Sequence, residues 1–186
     1  MTGGLCVWRH PRPAGVAGRC IGRCDVPVDR RRARRLAHRI RRLARREGRA
    51  HVVWTSPLSR ARDVGRWLRR WGWTHRVDAR LAELDFGTWD GRAWSTIGAD
   101  AVDRWCADFA RHAPGGGESV AALMARCAAF LADHPDALVV GHAGWINAAA
   151  RVTAGLPPPA EAAAWPPACR YGALWRTSSS RGAESQ

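Results

Sequence analysis

Two arginines and two histidines in this chain follow similar stretches of sequence. Arg9-His10-Pro11 closes the apolar run Leu5–Trp8, Arg60 follows the run His51–Thr55 through Ser56-Pro57-Leu58-Ser59, and Gly141-His142 closes the run Ala137–Val140. Short runs of this kind read as buried strands. In an open α/β sheet, functional groups collect beyond the carboxyl ends of the strands. Arg9, His10, Arg60 and His142 are therefore predicted at one edge of one sheet, although they come from distant segments. Such a set suits a phosphate dianion. The guanidinium fork pairs with phosphate oxygens, and imidazole near neutral pH is either a neutral nucleophile or a charged donor. Phosphoryl transfer needs in-line positioning and stabilisation of charge on the equatorial oxygens, which guanidinium and imidazolium groups supply without a metal. All thirty basic residues are Arg, so one Arg at a strand end says little. The joint placement after three separate runs carries the argument.

The elements that must hold these residues alternate. Between the first two strands, residues 11–28 read as a Pro-, Gly- and Cys-containing loop. Asp29 is a candidate N-cap for a helix in which Ala33, Leu36, Ala37, Ile40, Leu43 and Ala44 share one face and Arg covers the other, up to Gly48. The second strand leads into a helix over Ser59–Trp71. Arg76–Ala79 is a candidate short strand, 81–94 a structured loop, and Ala99–His112 a helix ended by Pro114-Gly115-Gly116-Gly117. A helix over Glu118–Asp133, the third strand, and a helix over Trp145–Ala154 follow. The Pro- and Ala-rich stretch 156–167 is a connector, and Gly172–Arg176 a candidate last strand. Strands separated by helices predict an α/β fold: a three-layer sandwich with a mostly parallel central sheet and helices on both faces. Residues 1–176 form one domain and 177–186 a polar C-terminal tail.

Length and composition fit that reading. A chain of 186 residues, 46% apolar, can bury a sizeable core. No run of about 18 apolar residues predicts a membrane span. Met1–His10 reaches Arg9 too soon for a secretory signal, so a cytoplasmic location is expected. The net charge of +14 creates a field that attracts anions, and the field alone suits phosphate esters and nucleic acid alike. Cys6, Cys106 and Cys127 fall in apolar segments and read as small buried side chains. Cys20 and Cys24 share a loop, without the second Cys/His pair that a zinc site needs, so no metal and no cofactor is expected. Most of the eleven Trp are assigned to the core. Trp89, Trp94 and Trp145 lie near the functional loops, where one could stack on an aromatic leaving group.

Several motifs together resemble a known family. Val7-Trp8-Arg9-His10-Pro11 resembles the Arg-His-Gly signature of the histidine phosphatase superfamily, the phosphoglycerate mutase-like family. Thr55-Ser56-Pro57-Leu58-Ser59-Arg60-Ala61 is similar to its second Arg motif, and Leu81 to Gly91 to its acid-bearing loop. Pro114 to Ser119 is similar to the loop before its helix, and Val139 to Gly144 to its second His motif. The order of the motifs is the family's. The segments Arg9–Pro13, Cys20–Pro27, Glu83–Gly91 and Asp108–Ser119 are most similar to the α-ribazole phosphatase branch, which acts in nucleotide-loop assembly of cobalamin.

The resemblance implies a phosphoglycerate mutase-like fold and a metal-independent phosphomonoesterase. His10 would form a phosphohistidine, Arg9, Arg60 and His142 would hold the phosphoryl oxygens, and Glu83 would serve as acid and then base. By residue type alone Asp85 and Asp90 are equally able acids; the resemblance favours Glu83. Arg12, Arg23, Glu118 and Ala143 are further substrate-binding candidates. Pro11 stands where the family has Gly, removing a backbone N–H but keeping a carbonyl able to orient His10. Pro13 stands where many members have Thr, a gap that Arg12 or Ser56 could fill. The expected partner is a small phosphate monoester, with α-ribazole 5′-phosphate favoured; no membrane is expected, and a homodimer is allowed. A broad-specificity small-molecule or phosphohistidine phosphatase is the main alternative. A mutase would need long insertions to shield the phosphohistidine, and this chain lacks them. An Arg-rich anion- or nucleic-acid-binding module is the alternative of another class; it would bind polyanions in a salt-sensitive way that survives His10→Ala. Nucleic acid is not the expected partner.

Overall fold

The computed structural model describes residues 4–177. Beyond Thr177, the tail expected at 177–186 lies outside the described residues. Five strands, β1 (Cys6–Arg9), β2 (Val52–Thr55), β3 (Thr74–Val77), β4 (Leu138–Gly141) and β5 (Leu174–Arg176), form one sheet in the order β3-β2-β4-β1-β5. All neighbouring pairs are parallel except β1–β5. The helices are α1 (Arg30–Arg46), α2 (Ser59–Arg70), α3 (Ala99–Ala107), α4 (Val120–Asp133) and α5 (Ala143–Thr153).

The strand alternation sorts the core into two layers. Leu5, Val7 and Val139 face α4 and α5, packing with Leu123, Phe130 and Trp145. Cys6, Trp8, Val53, Leu138 and Val140 face α1 and α2, packing with Leu36, Ile40, Val64 and Leu68. The sheet is thus covered on both sides, as the sequence pattern predicts. Fully burying a Leu, Val or Phe side chain contributes about 1.5–3 kcal/mol, so the two layers are what fix the sheet. The apolar face expected for α1 is the buried one, and its Asp29 side chain accepts from the backbone N–H groups of Arg31 and Arg32 at 3.0 Å.

Three expectations shift. The edge strand β3 runs from Thr74 to Val77, two residues earlier than expected, because Asp78 caps the following turn through the Arg80 N–H. α3 ends at Ala107, where Asp108 leaves helical geometry (φ −133°, ψ 58°), five residues short of His112. Cys106 is exposed rather than buried. α3 has no buried residue; it leans on a small satellite cluster of Cys20, Trp89 and Ile97, and Cys106 faces outward. Cys6 and Cys127 are buried as expected.

Register positions the site. In the parallel pair β1–β4, Arg9 lies opposite Gly141, and the His10 N–H donates to the Gly141 carbonyl at 2.9 Å. His10 and His142 therefore leave adjacent strands at the same level. Thr55 lies opposite Val140, which brings the loop to Arg60 to the same edge.

Candidate active site

A cavity of about 330 Å³ opens at this edge, and Arg9, His10, Arg60, Glu83, Ala143 and Gly144 are among its lining residues. The imidazole of His142 is fully buried beside it, with its ring centroid 5.0 Å from that of His10. Six of the predicted residues, Arg9, His10, Arg60, Glu83, His142 and Ala143, thus come together from the end of β1, α2, the 81–94 loop and the β4–α5 junction.

Each is held by a different local device. The Pro11 carbonyl lies 2.8 Å from His10 Nδ1. With Nδ1–H donating to it, Nε2 keeps its lone pair and points away from the backbone. Arg60, 1% exposed, donates through Nη1 to the Cys24 carbonyl at 2.6 Å and through Nη2 to the Gly22 carbonyl at 2.5 Å. Arg9 donates through Nη1 to the Cys169 carbonyl, and its guanidinium carbon lies 3.8 Å from the ring centroid of Tyr171. Neither arginine has a carboxylate within ion-pair distance among the described residues. Arg9 Nε, Arg60 Nε and both His142 ring nitrogens are buried without a hydrogen-bond partner among those residues. Buried polar atoms are normally satisfied, and Arg9 and Arg60 line the cavity, so their free Nε–H groups are available to an acceptor there.

The electrostatics follow from burial beside guanidinium groups. Burial first, then the Arg60 charge, lowers His10 to about 3, with Arg9 adding to the effect and the Pro11 hydrogen bond opposing it. Burial and the same cations hold His142 well below its ordinary value. Of the two states open to imidazole from residue type alone, both rings here are in the neutral one near pH 7. A dianion bound between them would raise His142 again.

The three candidate acids separate by their partners. The Asp90 carboxylate accepts the N–H groups of Gly22 at 2.5 Å and Arg23 at 2.7 Å, tying the 19–24 loop to the 89–93 turn. Asp85 accepts the Gly87 N–H at 2.8 Å. Glu83 alone of the three lines the cavity, accepting from the N–H groups of Leu84 at 3.0 Å and Gly144 at 3.1 Å.

Of the other sequence candidates, Ala143 is buried in the cavity wall, while Arg12, Arg23 and Glu118 do not line the cavity. Arg12 is exposed and lines a neighbouring groove with Arg32, Arg35 and Arg39. Glu118 makes a two-point ion pair with Arg126 (2.7 and 2.8 Å), and Arg23 lies 3.8 Å from the same carboxylate. Arg126 in turn donates to the carbonyls of Arg80, Ala82 and Glu83, so this pair braces the segment that carries Glu83. Sequence reasoning missed Arg126 and also Tyr171, Asn147 and Trp165, which line the cavity. Nothing in their local pattern marks them. Of the three Trp near the functional loops, Trp89 and Trp145 are core, while Trp94 is 39% exposed and lines the cavity.

The family model of the histidine phosphatase superfamily (branch 1) matches residues 5–176. The chain belongs to this superfamily. Its five-stranded, mostly parallel sheet is that of the phosphoglycerate mutase-like fold. Among solved structures, this superfamily member is similar to a mycobacterial glucosyl-3-phosphoglycerate phosphatase complexed with VO3, at 27% identity over 92% of this chain and 89% of that one, with a TM-score of 0.74. It is similar to mycobacterial hydrolase 1 at 31% identity over 92% and 89% of the two chains, TM-score 0.71. It shares its fold with an Escherichia coli protein provisionally described as an α-ribazole-5′-P phosphatase, at 24% identity over 85% and 82%, TM-score 0.67. No protein with a curated description matches the chain. Among the described residues, no helix is long and apolar enough to cross a membrane, and no group of three or more His, Cys, Asp or Glu side chains could hold a metal ion.

Proposed function

We propose that this histidine phosphatase superfamily member is a metal-independent phosphomonoesterase that works through a phosphohistidine on His10. The observation that carries the reading is the set of partnerless buried nitrogens of Arg9, Arg60 and His142 around the cavity that His10 and Glu83 line. His10 Nε2 attacks phosphorus, forming the N–P bond as the ester P–O bond breaks. Protonated Glu83 gives its proton to the departing alkoxide. Water then attacks phosphorus, the N–P bond breaks, and Glu83 takes back a proton. The guanidinium groups of Arg9 and Arg60, with His142 charged by the incoming dianion, stabilise the equatorial oxygens.

For the leaving group we propose a flat, apolar ring system, with α-ribazole 5′-phosphate, a benzimidazole nucleotide, as the favoured substrate. Phe86, Trp94, Trp105, Phe109 and Trp165 also line the cavity and support this choice, since aromatic rings prefer offset-stacked and edge-on partners. A second reading draws on similarity: the mycobacterial glucosyl-3-phosphoglycerate phosphatase favours a sugar-acid phosphate. A phosphate-release panel separates them, comparing α-ribazole 5′-phosphate, glucosyl-3-phosphoglycerate, 3-phosphoglycerate, phosphohistidine and an aryl phosphate, with and without a chelator. We expect the highest kcat/KM on α-ribazole 5′-phosphate, undiminished by chelator and abolished by His10→Ala. Equal rates on every ester would support broad specificity instead. Loss of activity on chelation would overturn metal independence.

A further inference from the structure

We propose that Tyr171 is a positioning residue that aims the Arg9 guanidinium at the phosphoryl group without neutralising it, an inference that rests on the reading of Arg9 as a phosphate ligand. The placement follows from strand pairing. β5 runs antiparallel to β1, the Arg9 N–H donates to the Ala173 carbonyl, and the Gly172 N–H donates to the Arg9 carbonyl, both at 3.0 Å. Gly172 enters β5 with φ +71°, a left-handed turn that Gly adopts readily. That turn lays the Tyr171 ring over Arg9, 3.8 Å from its guanidinium carbon, and brings it within 5.5 Å of the His10 ring.

The chemistry of the contact suits the task. A free arginine side chain carries about 2 kcal/mol of rotamer entropy, so a phosphate ligand of this kind must be fixed in advance to bind well. A carboxylate would fix it but would also cancel the charge that the phosphate needs. An aromatic face attracts the cation through its quadrupole and leaves the net charge intact. Arg9 has no carboxylate partner among the described residues; it is held by the Tyr171 ring and the Cys169 carbonyl, and its Nε stays free for another acceptor. The Tyr171 hydroxyl makes no hydrogen bond within those residues, so the ring face is the acting part. Tyr171 is the only tyrosine in the chain and is 37% exposed, on the rim of the site rather than in the core.

The test is isothermal titration of the full chain with inorganic phosphate, for Tyr171→Phe, Tyr171→Trp and Tyr171→Leu, each with Arg9 intact and with Arg9→Gln. The expected result is that Leu weakens phosphate binding by roughly three- to thirty-fold, the span of a cation–π contact, while Phe and Trp bind as the wild type does. In the Arg9→Gln background the Leu substitution adds nothing. Three outcomes overturn the proposal: wild-type affinity in Tyr171→Leu, an equal loss in the ring-bearing variants, or the same loss with and without Arg9. Release of phosphate from an aryl ester, measured alongside, tests the enzymatic reading separately. Phosphate binding without turnover would refute that reading and leave the role of Tyr171 standing, whereas a wild type that binds no phosphate refutes both.

Discussion

His10 combines two properties that work together. Its Nδ1 faces the Pro11 carbonyl, which sets the tautomer, and burial beside Arg60 removes its proton, which frees Nε2. The Pro in place of the family Gly is thus compatible with orientation of His10, because the carbonyl, not the missing N–H, makes the contact. Since His10 is lowered to about 3, it should stay neutral as pH falls from 8 to 5. Nitrogen-15 NMR of the imidazoles, without phosphate, should show no titration of His10 across that interval, and His142 should behave alike. A midpoint near the ordinary 6.5 for His10 would contradict the account. Arg9, His10, Arg60 and His142 were legible in the sequence because they sit at or shortly after strand ends, where position along the chain fixes position in space, whereas Glu83 was singled out from Asp85 and Asp90 by the family resemblance. The partners of those residues were not: Tyr171 reaches Arg9 through the β1–β5 register, and Arg126 reaches the Glu83 segment from the middle of α4.

Among the elements, the start of α5 does the most for the chemistry. The N–H of Gly144, in the first turn, has no carbonyl one turn back in the helix to bond to and donates to Glu83 Oε2 at 3.1 Å. A Cβ at this position would come within 2.4 Å of Glu83 Oε1. The obstacle is the end of a flexible side chain, so Gly144→Ala should fold normally and swing the carboxylate aside. Its kcat should drop toward the roughly 10²–10⁴-fold that acid–base help contributes, with the melting temperature near that of the wild type. An unchanged kcat would remove Glu83 from its assigned role. The apolar spacing of α1, α2 and α4 predicted those helices well because each buries one continuous face. α3 was overextended for the opposite reason: it buries no residue, so its spacing carried little information about where it stops. The edge strand β3 was displaced because only one neighbour and the Asp78 cap define its ends.

At the scale of the whole molecule, charge and chemistry are separable. Ten arginines on α1 give the sheet a strongly basic outer layer, but the cavity draws its cations from β1, the 11–28 loop and α2 instead, through Arg9, Arg19 and Arg60. The α/β class and both covered faces were readable from the alternation of runs. The strand order was not, because nothing local states that β4 inserts between β1 and β2. That insertion sets His142 against His10 and so creates the site. The most direct test of the central claim is rapid acid-free quenching during turnover of a labelled phosphate monoester, followed by peptide mapping of the protein. The account predicts an acid-labile, base-stable phosphoryl label on the peptide containing His10, absent in His10→Ala. A label on any other residue, or steady turnover by His10→Ala, would contradict it.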